Sequence, residues 1–175
     1  MAFTLLKPTG IDLSQTFNFT GSVSGAGGGK ILQVLNVEND SETTTTNGSL
    51  QDTALALNIT PSSTSSKIFI QIQPQLLASS SNEEAGLGFG ISREIDDANN
   101  TTVFETKYSY DGLYMASSDG SNADSIRAYP YVAHLDSPNT TGVCRYKFRI
   151  KAYSSTAKFN EASGRSRMYL FEVGA

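Results

Sequence analysis

The sequence predicts an all-β protein: an antiparallel β-sandwich of jelly-roll type, preceded by an extended N-terminal arm. Three observations carry this. Apolar residues recur with a period of two along most of the chain, and no stretch of useful length shows the helical period of about 3.6. Clusters of Gly, Pro, Asn, Asp and Ser punctuate these stretches at short intervals. One stretch, residues 143–153, alternates completely. Cys144, Tyr146, Phe148, Ile150 and Ala152 share one parity; Arg145, Lys147, Arg149 and Lys151 share the other. Successive side chains of a strand point to opposite faces, so this strand has one dry and one wet face. Burying Tyr146, Phe148 and Ile150 alone stabilises by about 5–8 kcal/mol.

The arm is residues 1–28. Short apolar tags, Phe3, Leu5, Leu6, Ile11, Leu13, Phe17 and Phe19, alternate there with turn residues. Residues 16–20 set Phe17 and Phe19 on one side, the pattern of a short strand. The arm closes in a glycine run, Gly27-Gly28-Gly29, which reads as a flexible linker. Apolar anchors without a core of their own suit docking onto a partner, and Phe3, Leu5, Leu6, Phe17 and Phe19 are the candidate attachment residues.

The head domain, residues 29–175, follows strand by strand. Residues 30–37 are apolar enough for a buried strand. Residues 40–47 carry a β-prone threonine run before the Asn47-Gly48 turn pair. Residues 51–59 place Leu55, Leu57 and Ile59 on one face. After a serine-rich turn, residues 67–77 alternate Ile68, Ile70 and Ile72 with Phe69, Gln71, Gln73 and Gln75. Pro74 lacks an N–H for a ladder, so this strand is expected at an edge or bulged.

Residues 79–84 form a loop. In residues 86–95, Leu87, Phe89 and Ile91 alternate with Gly88 and Gly90, which implies a close backbone approach over the glycine face. Residues 96–100 read as a loop, residues 101–110 as a strand, and residues 113–117 as its hairpin partner across Asp111-Gly112. After a second loop, 119–124, residues 125–135 put Tyr129, Tyr131, Ala133 and Leu135 on one face. Residues 154–165 are polar with one apolar anchor, Phe159. Residues 166–173 are apolar on both faces and read as a central strand covered on both sides.

The totals set limits on function. The chain has 175 residues, enough for one domain with a real core. Thirteen basic residues face 17 acidic ones, a net charge of −4 with no basic cluster, which speaks against a nucleic-acid partner. The single cysteine, Cys144, rules out an intrachain disulfide and a multi-cysteine zinc site. The longest apolar run is far too short to span a bilayer, so no membrane insertion is expected. The first eight residues lack the pattern of a signal peptide.

Residues able to do chemistry are few. His134 is the only histidine, and a serine–histidine triad would have to use it with an acid such as Asp136; no nucleophile elbow accompanies it. Cys144 lies on the apolar parity of its strand and reads as a buried, inert thiol. Asp96, Asp97 and Asn99, with the loop 119–124, offer oxygen ligands for calcium but lack the order of a calcium loop. Glu83, Glu84, Glu94 and Asp97 could supply a glycosidase carboxylate pair, with nothing to fix its spacing. The expectation is no enzymatic activity and no cofactor. Tyr108, Tyr110, Tyr114, Tyr129, Tyr131 and Tyr153 crowd the second half; tyrosine is favoured at recognition surfaces, but most of these are expected in core or inter-subunit packing, and no receptor site is assigned.

Three passages, in order, carry a resemblance. They are Leu57-Asn58-Ile59-Thr60-Pro61-Ser62-Ser63-Thr64-Ser65-Ser66-Lys67-Ile68; His134-Leu135-Asp136-Ser137-Pro138-Asn139-Thr140-Thr141-Gly142; and Met168-Tyr169-Leu170-Phe171-Glu172-Val173-Gly174-Ala175. Over roughly residues 29–175 the chain resembles small β-rich virion proteins of marine tailed bacteriophages, cyanophages in particular, described as tail-fibre-like or structural. The resemblance implies a virion protein, a short tail fibre or fibre head that contributes to host adsorption. It implies partners among other virion proteins, reached through the arm, a homotrimer by analogy with fibre heads, and host-surface carbohydrate as a possible contact. A capsid decoration or head-fibre protein, a polysaccharide-degrading tailspike and a free carbohydrate-binding module are the alternatives. No catalytic or ligand-binding residue is carried over.

Overall fold

The computed structural model describes residues 30–81, 84–116 and 124–174. The expected arm, with Phe3, Leu5, Leu6, Phe17 and Phe19, lies outside them, as do Glu83 and most of the 119–124 loop. The described strands are β1 Ile31–Asn39, β2 Thr43–Thr45, β3 Gln51–Ile59, β4 Lys67–Gln73, β5 Leu76–Ser80, β6 Glu84–Ile95 and β7 Ala98–Glu105. They continue with β8 Leu113–Ala116, β9 Asp124–Ala128, β10 Val132–Asp136, β11 Cys144–Tyr153, β12 Thr156–Phe159 and β13 Ser166–Val173. The described helical structure is one 3-10 turn, Glu161–Ser163.

The sheets bear out the jelly roll. One ladder runs β1-β13-β4-β10 and another β2-β12-β5-β9. The two orders are the same when read by chain stretch: four long strands, each broken once at one level, make one layer. The facing layer runs β3-β11-β6-β7, with β8 also on β6. Apart from β6, β7 and β8, which stay in one layer, successive long strands alternate between layers, the connectivity of a double-sheet jelly roll. The core lies between them. Leu55, Ile59, Leu87, Ile91, Tyr146, Phe148 and Ile150 of one layer meet Ile68, Ile70, Ile72, Leu76, Phe159, Met168 and Leu170 of the other. Phe148 sits between Phe89 and Phe159, with ring centroids 5.7 and 5.9 Å away.

The level where the strands break is polar and paired. Ser166 Oγ donates to Asn160 Oδ1 (2.6 Å) and accepts from the Gln75 N–H (2.9 Å). Asn160 Nδ2 donates to the Asn39 carbonyl (2.8 Å). Backbone groups freed by the breaks are thereby satisfied inside the fold.

Alternation in β11 is as read from the sequence: its apolar parity is buried throughout. Several other expectations need correction. β1 is an edge strand and not a buried one; only Leu35 and Val37 turn to the core, while Ile31, Leu32 and Val34 are exposed. β4 is neither edge nor bulged, since it lies between β13 and β10. Pro74 falls at the strand break, where its missing N–H removes no ladder bond. Residues 125–135 are two strands, broken at Pro130, with the parity unchanged across the break: Ile126, Ala128, Val132 and Asp136 turn inward, while Tyr129, Tyr131, Ala133 and Leu135 share one face, the exposed one.

Residues 101–110 and 113–117 are not a hairpin. β7 pairs with the Gly90–Ile95 half of β6 and β8 with its Glu84–Leu87 half, so both lie end to end along one 12-residue strand. The 96–100 loop shrinks to a two-residue turn, with Asp96 and Asp97 at φ 50° and 58° between the paired Ile95 and Ala98. Residues 154–165 contain a strand, β12, because Ala157 shares the buried face of Phe159. β13 is interior in its ladder, yet only Ser166, Met168, Leu170 and Glu172 face inward; Tyr169 and Phe171 stay partly exposed.

Candidate functional site

Two surface features gather residues that could bind something. The first is at the β6–β8 edge. Between β7 and β8 the chain leaves the ladder over residues 106–112, tied to β6 by Thr106 N–H to Phe89 O (2.9 Å) and Gly112 N–H to Leu87 O (3.0 Å). Asp111 closes the excursion by accepting from the Tyr108 N–H (2.8 Å). The segment lies flat because β6 presents glycines to it. A Cβ on Gly88 would come within 2.7 Å of Thr106 Oγ1 and Lys151 Cε, and one on Gly86 within 2.9 Å of Tyr110 Cβ. The close approach expected over the glycine face is this contact.

Four tyrosines converge there. The Tyr108 and Tyr110 rings stack at 5.3 Å with 9° between planes. Tyr110 also meets Tyr153 edge-on at 4.9 Å and Tyr114 at 5.6 Å. Tyr108 is 46% and Tyr114 44% exposed. Lys107 Nζ stands 4.9 Å over the Tyr108 ring. Tyr114 Oη donates to Glu84 Oε1 (3.2 Å). Partial burial and Glu84 together raise the Tyr114 pKa, and the negative charge of Glu84 raises that of Tyr153, so both hydroxyls stay protonated donors. Four of the six tyrosines singled out in the sequence thus share one patch; Tyr129 and Tyr131 lie apart from it, exposed.

The second feature is the outer face of the β1-β13-β4-β10 ladder. Directly paired residues share a face, and Val34, Phe171, Phe69 and Leu135 pair in succession across all four strands. Val34 is 53% and Leu135 49% exposed. Phe69 and Phe171 lie 6.0 Å apart, and Tyr169 is 6.4 Å from Phe171. The next row is Asn36, Tyr169, Gln71 and Ala133, and the one after begins Glu38, Arg167, Gln73. Gln71 and Gln73 sit on this face as expected; Gln75 does not, being buried at the strand break with its Nε2 on the Glu161 carbonyl (3.1 Å).

The wet face of β11 is laced with ion pairs. Lys147 Nζ lies 2.6 Å from Glu94 and 3.1 Å from Asp52, Arg149 Nε 2.7 Å from Asp52, and Lys151 Nζ 2.8 Å from Glu105. The alternating basic residues are neutralised where they stand. Glu94 therefore serves this lattice, while Glu84 serves the tyrosines.

The remaining candidates have structural surroundings. His134 packs its ring 5.8 Å from Phe104 of the facing layer. Asp136 accepts from Arg93 Nη1 (2.5 Å) and Tyr146 Oη (2.6 Å). Cys144 is fully buried, and burial pushes its thiol pKa up, opposite to what a nucleophile requires. Asp96 Oδ1 accepts from the Val143 N–H (2.9 Å), pinning the β6–β7 turn to the start of β11. Among the described residues no group of three or more His, Cys, Asp and Glu side chains is placed to hold a metal. Among them, too, no helix is long and apolar enough to cross a membrane.

No family model matches the chain, and no curated protein matches it in sequence. Among solved structures, a T=1 particle derived from infectious bursal virus matches with a TM-score of 0.35 and 11% identity, over 82% of this chain and 36% of the other. The infectious bursal disease virus Gx strain gives a TM-score of 0.31 and 12% identity over 89% and 42%. The VP2 subviral particle of that virus gives 0.30 and 13% over 82% and 38%. The chain spans less than half the length of each of these chains, and none of the three is a tailed-phage protein.

Proposed function

We propose that this chain is a structural subunit of a tailed-phage particle. In this reading it is a short tail fibre or fibre head, a homotrimer joined to other virion proteins by the arm 1–28, and it contributes to host adsorption without catalysis. The phage setting rests on the three sequence passages. Jelly rolls recur in capsid and lectin domains, an association of architecture and not an assignment of role.

The observation that carries the subunit role is the apolar row Val34, Phe171, Phe69 and Leu135 on a sheet face that no other described strand covers. Isolated soluble domains seldom leave a contiguous aromatic face in water. A second copy of the chain fits it. Gln71 and Gln73 each carry a donor and an acceptor, and the rim holds Glu38 and Arg167 side by side (2.7 Å). A face of mixed donors and acceptors can pack against neighbouring copies around a closed ring, and the threefold count itself comes from the resemblance to fibre heads.

The test is sedimentation velocity of the full chain at micromolar concentration. The wild type is expected as a trimer. Phe171→Glu, which alters the outer face and leaves the core intact, is expected to sediment as a monomer with an unchanged β spectrum; a buried aromatic anchor is worth about 2 kcal/mol or more at an interface. A monomeric wild type would refute the proposal.

A further inference from the structure

We propose that the tyrosine patch on the β6–β8 edge is a saccharide-binding site for neutral pyranose units. It names a ligand for the adsorption role above and rests on that reading for its biological setting alone.

The patch joins the two chemistries that a sugar ring presents. A pyranose has an apolar face of C–H groups and a rim of hydroxyls. Tyr110 is the hub, in ring contact with Tyr108, Tyr114 and Tyr153. That leaves Tyr114, nearly half exposed, as the ring with a face to offer; Tyr108, as exposed, is stacked on Tyr110 and carries Lys107 over its ring. Their positions are set before any ligand arrives. Tyr110 rests against the backbone at Gly86, and the Tyr108 amide is held by Asp111. Little conformational freedom is therefore lost on binding.

Glu84 supplies the polar half. It accepts hydrogen bonds from Tyr114 and Tyr153, and a carboxylate has about four lone-pair sites, so acceptor capacity remains for sugar hydroxyls. A few placed polar groups beside aromatic walls is the usual build of a small-molecule site.

The same carboxylate selects among ligands that stack. Nucleobases stack on tyrosine as well, but their phosphates would meet Glu84 on a chain of net charge −4. Uronic acids would meet the same repulsion at Glu84, which Lys107 over the Tyr108 ring offsets only in part. Neutral sugars do not.

The experiment is saturation-transfer nuclear magnetic resonance on the full chain, with methyl glycosides of glucose, galactose and mannose as probes and glucuronate as the acidic control. Saturation is expected to reach the ring C–H protons of at least one neutral glycoside. Tyr114→Ala should weaken binding about tenfold or more, the scale of a lost aromatic contact. Glu84→Gln should weaken it too, because it replaces an acceptor oxygen with a donor. Tyr131→Ala, on the separate outer face, should change nothing. No transfer to any neutral glycoside, transfer to glucuronate alone, or transfer undiminished in Tyr114→Ala would overturn the assignment. Mass spectrometry of purified particles reads the virion setting separately: absence of the chain there would end that reading and leave sugar binding standing.

Discussion

Asp136→Asn is expected to lower the stability of the fold by about 3–5 kcal/mol. The carboxylate links the two layers. It comes from β10, whereas its donors, Arg93 on β6 and Tyr146 on β11, come from the facing sheet. Side-chain exposure is 14% for Arg93 and 10% for Asp136, and Tyr146 is fully buried. Burial opposes the guanidinium charge of Arg93, and the hydrogen bond and charge of Asp136 more than offset it. Burial and the same carboxylate push the Tyr146 pKa far above the ordinary tyrosine value, so its hydroxyl remains a donor. The asparagine keeps the shape and removes the charge, leaving Arg93 buried without a counter-ion. Total stability of a domain is about 5–15 kcal/mol, so the loss is a large share of it. Urea unfolding followed by circular dichroism measures it, and a loss below about 1 kcal/mol would contradict this account of the cross-layer link.

The second large effect concerns acid. Glu172 is buried in the last strand, where burial alone would raise its pKa. Hydrogen bonds outweigh that penalty: the Ser62 N–H (2.7 Å) and Oγ–H (2.6 Å) donate to Oε1, and Gln33 Nε2 (2.6 Å) donates to Oε2. The pKa falls from 4.5 to about 2. Because the folded value lies below the unfolded one, the stabilisation is complete above about pH 4.5 and is lost as pH falls through about 2. The shift corresponds to about 3 kcal/mol. Glu172→Gln sets an NH2 among donors and should cost about 2–3 kcal/mol at neutral pH. Near pH 2 the variant and the wild type should differ little. Chemical unfolding across that range would show the two curves converging; parallel curves would mean the network does not hold the charge.

These two networks explain why the recognisable passages of the sequence are where they are. Ser62 of the serine-rich turn, Gln33 of the first strand and Glu172 of the last one meet around one carboxylate. The turn sequence therefore does more than solvate a bend, a role that its composition alone suggested. Asp136 of the second passage anchors the cross-layer link. In each case the sequence showed a turn next to a strand, and the partner lay more than 100 residues away or in the other sheet.

Strands were legible where alternation ran unbroken, as in β11. The layered class and the jelly roll followed from their number and spacing. What was not legible is the common break. Pro74 signals an interruption, but a single chain cannot show that three other strands are interrupted at the same level. Pro130 does the same for β9 and β10, although the parity runs through it unchanged, with Tyr129, Tyr131, Ala133 and Leu135 on one exposed face. The tyrosine patch was visible only as a list of tyrosines. Bringing Tyr108, Tyr110 and Tyr114 to Tyr153 requires β7 and β8 to share one edge of β6, and the Asp111-Gly112 signal pointed to a hairpin instead. The outer face had a fair signal: Phe69 and Phe171 occupy the parity opposite the core residues of their strands.

Electron cryomicroscopy of particles from the cells that produce this chain tests the central claim most directly. The account predicts jelly-roll density in groups of three, with the β1-β13-β4-β10 outer face turned against neighbouring copies and residues 1–28 engaged with another virion protein. Particles that lack the chain, or that carry it with this face bare on every copy, would contradict it.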